Sequence, residues 1–260
     1  MQTANLTDLK KIHNEIPYFQ FPRLSMNEHL NHAVFTRHGG VSAPPFDSLN
    51  ISFSVGDQPK NVAANIRKIQ NSIGSRRLIQ VNQVHGTDIL VLQQNKPDML
   101  DNASSADAMI TNVPQVALMV KQADCQGIII YDPAKQVLAN VHCGWRGNIQ
   151  NVLERVVTRM EKAFGSNTVD LQASIGPSLG PCCAEFTTYK DIFPEAFERF
   201  RIMENHFNLW AASCWQLENA GLRPENIKVS GICTHCRTDL FFSYRSEPHT
   251  GRFGTVVMLK

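Results

Sequence analysis

The chain of 260 residues contains no apolar run longer than a strand. Its longest strongly apolar stretches, Val116 to Val120 and Ile128 to Tyr131, fall far short of the roughly 20 residues that cross a bilayer. No membrane span is therefore expected. The first thirty residues lack a basic segment followed by an apolar run, so a secretory signal is not expected either. Basic residues never cluster beyond Arg76-Arg77, and 25 basic against 23 acidic side chains leave a formal charge of +2. That balance argues against nucleic acid or an anionic membrane as the main partner. Seven cysteines cannot all pair, so at least one thiol is free. A free thiol without an export signal points to the reducing cytoplasm. None of the nine histidines stands two residues from another, so the His-X-His pairs of trinuclear copper oxidases are missing. Low-complexity segments, internal repeats and a Gly/Pro-rich linker are also absent, which predicts one domain over residues 1–260.

Two periodicities are present. Val62, Ile66, Ile69 and Ile73 recur at helical spacing, and Ile149, Val152, Leu153, Val156, Met160 and Phe164 form a second, stronger helical stripe. Pro194 opens a third candidate helix with Phe197 and Phe200, and a fourth runs from about Asn208 to Ala220, where Gly221 supplies a stop. Strand-like pieces cover Leu78 to Val84, Asp88 to Leu92, Ala106 to Thr111, Val116 to Val120, Gly127 to Tyr131, Gln136 to His142, Ile227 to Ile232 and Phe253 to Leu259. The class predicted is mixed α+β.

The stretch richest in chemistry joins Asp124-Cys125 to His142-Cys143-Gly144-Trp145-Arg146-Gly147 through Asp132-Pro133-Ala134-Lys135. Asp then Pro favours a type I turn. If Asp132 and Lys135 close it, opposed residues have numbers summing to 267, and Cys125 faces His142. Opposed Cβ atoms lie about 4.5–5.5 Å apart. A thiol beside an imidazole serves either as an activated nucleophile or as part of a metal site. His85, at a strand end before Gly86-Thr87-Asp88, could reach the same place. Two imidazoles and a thiolate suit Zn²⁺ with a fourth position open, as catalysis requires. The alternative is a Cys that packs as a small hydrophobe beside surface histidines.

These residues also carry a resemblance. Thr36-Arg37-His38-Gly39-Gly40-Val41-Ser42, Ser48-Leu49-Asn50, Asn82-Gln83-Val84-His85-Gly86, Ala106-Asp107-Ala108, Ala123-Asp124-Cys125, the His142 to Gly147 run, Gly180-Pro181-Cys182-Cys183 and Phe242-Ser243-Tyr244-Arg245 stand in the order seen in the laccase-domain purine nucleoside phosphorylases. These YfiH-like proteins were formerly called polyphenol oxidases. The resemblance implies a four-layer α/β/β/α fold with two mixed β-sheets, similar to the catalytic domain of cytotoxic necrotizing factor toxins. It implies phosphorolysis of adenosine, inosine and methylthioadenosine, with adenosine deaminase as a further activity. It puts the metal on His85, Cys125 and His142, with zinc as the ion and copper as the alternative. Purine nucleoside and phosphate are the partners it implies, in a monomer or a dimer. Gln126, Gly127, Cys143 and Ser178 depart from the commonest pattern of the family.

Within that frame, Asp124 is either a proton shuttle or a group that orients His142 or His85. Arg37, Arg146 and Arg245 are the candidate phosphate ligands and Asn50 a further substrate contact, although each arginine could instead pair a carboxylate. A second enzyme reading keeps Cys125 as nucleophile and His142 as base in a metal-free amidase acting on cell-wall precursors. A non-enzymatic reading makes the metal structural, with Cys143 or Cys236 as fourth ligand in an interaction module. Cys233-Thr234-His235-Cys236 looks like half a zinc ribbon, but no second pair stands at suitable spacing, so it reads as a packed strand end. The six cysteines other than Cys125 are expected to hold no metal of their own.

Overall fold

A computed structural model describes residues 9–12, 15–94 and 105–260. The long strands are apolar at almost every position because each of their two faces meets a different partner. Alternate residues of a strand point to opposite faces. In β14 (Phe253–Leu259), Phe253, Val257 and Leu259 face the second sheet, while Val256 and Met258 face a helix.

The strands are β1 (Lys10–Ile12), β2 (Tyr18–Gln20), β3 (Leu30–Phe35), β4 (Arg77–Ile79), β5 (Ile89–Leu92), β6 (Ala108–Thr111), β7 (Val116–Gln122), β8 (Gln126–Asp132), β9 (Val137–Cys143), β10 (Gln172–Ile175), β11 (Arg201–Met203), β12 (His206–Phe207), β13 (Ile227–Val229) and then β14. The α-helices are α1 (Pro22–Ser25), α2 (Pro59–Ile73), α3 (Trp145–Ile149), α4 (Val152–Phe164), α5 (Tyr189–Ile192) and α6 (Leu209–Asn219). One six-stranded sheet runs β1-β2-β3-β14-β7-β4 and the other β13-β10-β8-β9-β6-β5. Both are mixed, with β4/β7, β5/β6 and β10/β13 pairing in parallel.

The sheets meet through Leu118, Val120 and Val257 on one side and Met109, Ile129, Tyr131 and Leu138 on the other. Asn140 crosses this apolar layer, donating to the carbonyls of Leu118 and Thr255 at 2.9 and 2.8 Å. α2 covers the outer face of the first sheet through Ile69 and Ile73. α4 covers the second through Val152, Leu153, Val156, Val157 and Met160. Each such side chain contributes about 1.5–3 kcal/mol on burial, so packing rather than helix propensity holds α4. The result is the α/β/β/α layering and mixed α+β class expected.

The strands read over Leu78 to Val84 and Ile227 to Ile232 shorten to β4 and β13, and three further local readings change. The second helical stripe is two helices, because Asn151 adopts φ 56° between α3 and α4. The segment after Pro194 is a 3₁₀ helix, Glu195–Phe200. Its tighter turn stacks residues three apart, bringing the Phe197 and Phe200 rings to 5.1 Å. The hairpin pairs Asp132 with Val137 and Gly127 with His142, so partner numbers sum to 269 rather than 267. The Asp132 carboxylate accepts the N–H groups of Ala134 and Lys135, and Gln136 takes φ 51°. Those contacts lengthen the turn by two residues. A shift of two preserves which face every side chain occupies, so Cys125 still lies on the same face as His142, one diagonal step along.

His32 in β3 lies fully buried and accepts the Phe21 N–H on Nε2 at 2.8 Å. Burial depresses its pKa to about 4. With the folded value below the unfolded one near 6.5, the unfolded chain takes up the proton first as pH falls. Stability is thus lost from about pH 6.5 down to about pH 4. Urea unfolding at pH 7.5 and pH 5 should show about 2 kcal/mol less pH-dependent loss in His32→Gln than in the natural chain; equal losses would show that His32 is not the group responsible.

Candidate metal centre and its flanking cavities

Cys125 ends the loop before β8, His142 sits on β9, and His85 closes the segment after β4. Their ligand atoms all lie within 4.8 Å of one another. Cys125 Sγ is 3.8 Å from His85 Nε2, and the two imidazoles meet edge to face at 4.9 Å.

A buried carboxylate organises the cluster. Asp107, at the start of β6 and fully buried, holds His142 Nδ1 at 2.8 Å, which leaves Nε2 for the cluster. The same carboxylate accepts the N–H groups of Val84, His85 and Gly86 at 3.2, 3.0 and 2.6 Å. His85 takes φ 59°, a left-handed conformation costly for a side chain with a Cβ, and these three donors pin the turn that requires it. Gly144 completes the fit. A Cβ there would lie 2.8 Å from Cys125 Sγ and 3.4 Å from His85 Cδ2.

Electrostatics follow from this packing. Burial would raise the Cys125 thiol, but the His142 imidazole, helped by His85, pulls it down to about 6. Burial opposes the charge on His142, yet Cys125 and Asp107 lift its pKa to about 9. Asp107 stays below the usual carboxylate range despite its burial, because His142 and backbone N–H groups bond its charged form. A thiolate and two imidazoles, one fixed by a carboxylate, fit a zinc-type ion. Cys143 does not supply a fourth ligand. It lies on the opposite face of β9 among the side chains under α4, with its thiol pushed up by burial and bonded to the Gly144 carbonyl.

The centre lies between two cavities that share His85, Cys125, Arg146 and Tyr244. One, of about 240 Å³, is walled by Trp145, Leu179, Phe186 and Leu209. The other, of about 460 Å³, is polar and lined by Ser52, Asn82, Gln83, Lys121 and Arg252.

The profile of the family described as multi-copper polyphenol oxidoreductase laccase matches residues 31–260. The chain belongs to this laccase family. It is 30% identical over 247 residues to a purine nucleoside phosphorylase of Bacteroides thetaiotaomicron, covering 86% of this chain and 89% of that one. It is 32% identical over 239 residues to the purine nucleoside phosphorylase YfiH of Escherichia coli, covering 86% and 91%. Among solved structures, YlmD from Geobacillus stearothermophilus superposes with a TM-score of 0.85 at 27% identity, over 97% of this chain and 99% of that one. YfiH from Bacillus licheniformis gives 0.83 at 26%, over 95% and 100%.

The residues expected to act in this laccase-family chain divide into two groups. Arg146 lines both cavities and stacks over Trp145 at 4.3 Å. Arg245 lines the apolar cavity and donates to the Glu185 carbonyl. Arg37 lies elsewhere: it is buried over the Phe242 ring, donates to the carbonyls of Asp47 and Thr238, and pairs Glu247 at 3.4 Å. Asn50 is also buried, with its amide spent on Ser52, Asp57 and the Arg252 N–H. Asp124 lines the apolar cavity, but its carboxylate accepts from Thr234 Oγ1, Ser243 Oγ and the Arg245 N–H. It touches neither His142 nor His85 among its hydrogen bonds; Asp107 is the carboxylate that holds the His142 ring and the His85 backbone N–H. Asp107, Lys121 and Arg252 were not singled out from sequence. For Asp107 the signal was available in the Ala106-Asp107-Ala108 motif, whereas Arg252 reaches the site only through β14.

If Asp107 positions both imidazoles, Asp107→Ala should weaken metal binding by roughly 10–100-fold, read by competition with a chromophoric chelator. Unchanged affinity in a folded variant would remove Asp107 from that role.

Proposed function

We propose that this chain is a zinc-dependent purine nucleoside phosphorylase acting on adenosine, inosine and methylthioadenosine, with adenosine deamination as a second reaction. The observation that carries the reading is the position of the His85–Cys125–His142 cluster between an aromatic cavity and a cationic one. A purine offers a flat apolar face to Trp145 and Phe186, and phosphate is met by Arg146, Arg252 and Lys121. The names borne by the relatives support the same substrate class.

In phosphorolysis a phosphate oxygen forms a bond to C1′ as the bond from C1′ to the purine nitrogen breaks. The electron pair leaves with the base, which then takes a proton. The arginines hold the nucleophile and offset charge as it moves, and the apolar wall with Tyr244 at its rim keeps water from competing. In deamination water adds to the carbon bearing the amino group and ammonia leaves. When bound, zinc supplies Lewis acidity at its open coordination position. His85, Cys125 and His142 hold it, and Asp107 keeps His142 in the tautomer that presents Nε2. Among the described residues the imidazoles of a trinuclear copper cluster are not assembled: the metal-competent groups are this cluster and one made only of cysteines. Copper in place of zinc at this site remains the alternative ion.

One observation favours a second reading. Cys125 Sγ and the His142 ring lie within 4.8 Å of each other, with the thiol pulled down and the imidazole lifted, which is the thiolate–imidazolium arrangement of a nucleophilic cysteine, as in a metal-free amidase. Stoichiometric alkylation of Cys125 with loss of activity, in protein freed of metal, would select it.

Metal-analysed protein given adenosine and phosphate should release adenine and ribose 1-phosphate; without phosphate it should release inosine and ammonia. His142→Ala should lose both activities together with one equivalent of zinc, and zinc content equal to that of the natural chain would defeat the ligand assignment. Arg146→Ala and Arg252→Ala should raise the KM for phosphate by about 10-fold, the loss of one charge-assisted hydrogen bond, and more than the KM for adenosine. A phosphate KM that does not move takes the residue out of the site.

A further inference from the structure

Four cysteines lie together away from the His85–Cys125–His142 cluster. Cys182 and Cys183 stand in the loop after β10, and Cys233 and Cys236 in the loop after β13. β10 and β13 pair in parallel, so both loops leave the same end of the sheet, and they stay in contact there. Ser178 N–H donates to the Ile232 carbonyl at 3.1 Å and Thr234 N–H to the Ser178 carbonyl at 3.0 Å. All four thiols are free, and their sulfurs lie within 4.8 Å of one another. Cys236 Sγ is 3.7 Å from Cys182 Sγ and 3.5 Å from Cys183 Sγ.

A tetrahedral ion with metal–sulfur bonds of about 2.3 Å has sulfur–sulfur edges of about 3.8 Å. The two separations from Cys236, 3.7 and 3.5 Å, lie close to that edge, and every other pair is within 4.8 Å. A second observation concerns the donors around the sulfurs. Gly180 N–H points at Cys233 Sγ at 3.2 Å, a backbone bond that favours a thiolate over a thiol. Gly180 itself has no room for a side chain, since a Cβ would lie 2.8 Å from Cys233 Cβ and 3.3 Å from Cys182 Sγ.

We propose that Cys182, Cys183, Cys233 and Cys236 form a second metal site, a closed tetrathiolate that holds a zinc-type divalent ion. Four protein sulfurs leave no position for substrate, so the site is structural. It clasps the loop after β13 to the loop that gives Leu179 and Phe186 to the aromatic cavity. Thr234, between the two cysteines of the second loop, donates to Asp124 Oδ1 at 2.7 Å, and Leu179, just before the first pair, donates its N–H to the Asp124 carbonyl at 2.8 Å. Asp124 is the chain neighbour of Cys125. The clasp therefore fixes the approach to Cys125 without touching it.

The test uses full-length protein purified under reductant, with His142→Ala removing the other centre. Native mass spectrometry should find one zinc ion per chain in His142→Ala, and X-ray absorption at the zinc edge should report four sulfur neighbours and no nitrogen. Adding Cys236→Ser should abolish that ion. Absence of zinc in His142→Ala, nitrogen among its neighbours, or an ion that survives Cys236→Ser would each overturn the proposal. So would a reduced-preparation mass short by two hydrogens, the mark of a Cys183–Cys236 disulfide. Because the absorption measurement needs only His142→Ala, a Cys236→Ser chain that fails to fold leaves the proposal testable. The outcome is also separate from whether the chain acts on nucleosides.

Discussion

A fully buried carboxylate cannot remain without partners, and the centre of this protein is arranged around meeting that demand at Asp107. Four donors converge on it: three successive N–H groups from Val84, His85 and Gly86, and the His142 ring. Leaving any of them out would cost about 1–3 kcal/mol for the unsatisfied group, more for a charge. The same bonds force His85 into its left-handed turn and choose the His142 tautomer. The geometry of the His85–Cys125–His142 cluster is thus a by-product of solvating one negative charge with protein.

The pleated layers supply the second constraint. Because the sheets pack face to face and each outer face carries a helix, both sets of alternating side chains are apolar, and chemistry is pushed to the strand ends. Cys125, His142 and Asp107 all lie at the ends of β8, β9 and β6. The bulkier aromatic cluster around Phe186, Phe193 and Phe207 sits beside the two six-stranded sheets, and its Phe186 lines the apolar cavity.

What the sequence made legible was local. The apolar strand pieces, α2, α6 with its Asn208 cap, and the approach of Cys125 to His142 all rest on neighbours within one hairpin or helix. The predicted register was two residues short because the Asp132 side chain recruits Ala134 and Lys135 and extends the turn, a contact that composition does not reveal. Even displacement kept the faces, so Cys125 and His142 still come together despite the error in register. Distant pairings were the illegible part. Cys182 and Cys183 meet Cys233 and Cys236 only because β10 and β13 are parallel neighbours, and Arg252 reaches its cavity only through the pairing of β14. Arg37 and Asn50 stand in recognisable motifs but are used to tie loops rather than to line a cavity.

The bonds of Asp107 join residues that are far apart in the chain, from Val84 to His142, and they exist only when β5, β6 and β9 have assembled. An unfolded or half-formed chain therefore has three weak, uncorrelated donors and no centre at all. Ion binding at such a centre and sheet assembly would be one equilibrium: free metal at a thousand times its dissociation constant would add about 4 kcal/mol to the stability of the native state. The affinity of the centre is in that sense a gauge of how completely the second sheet is formed.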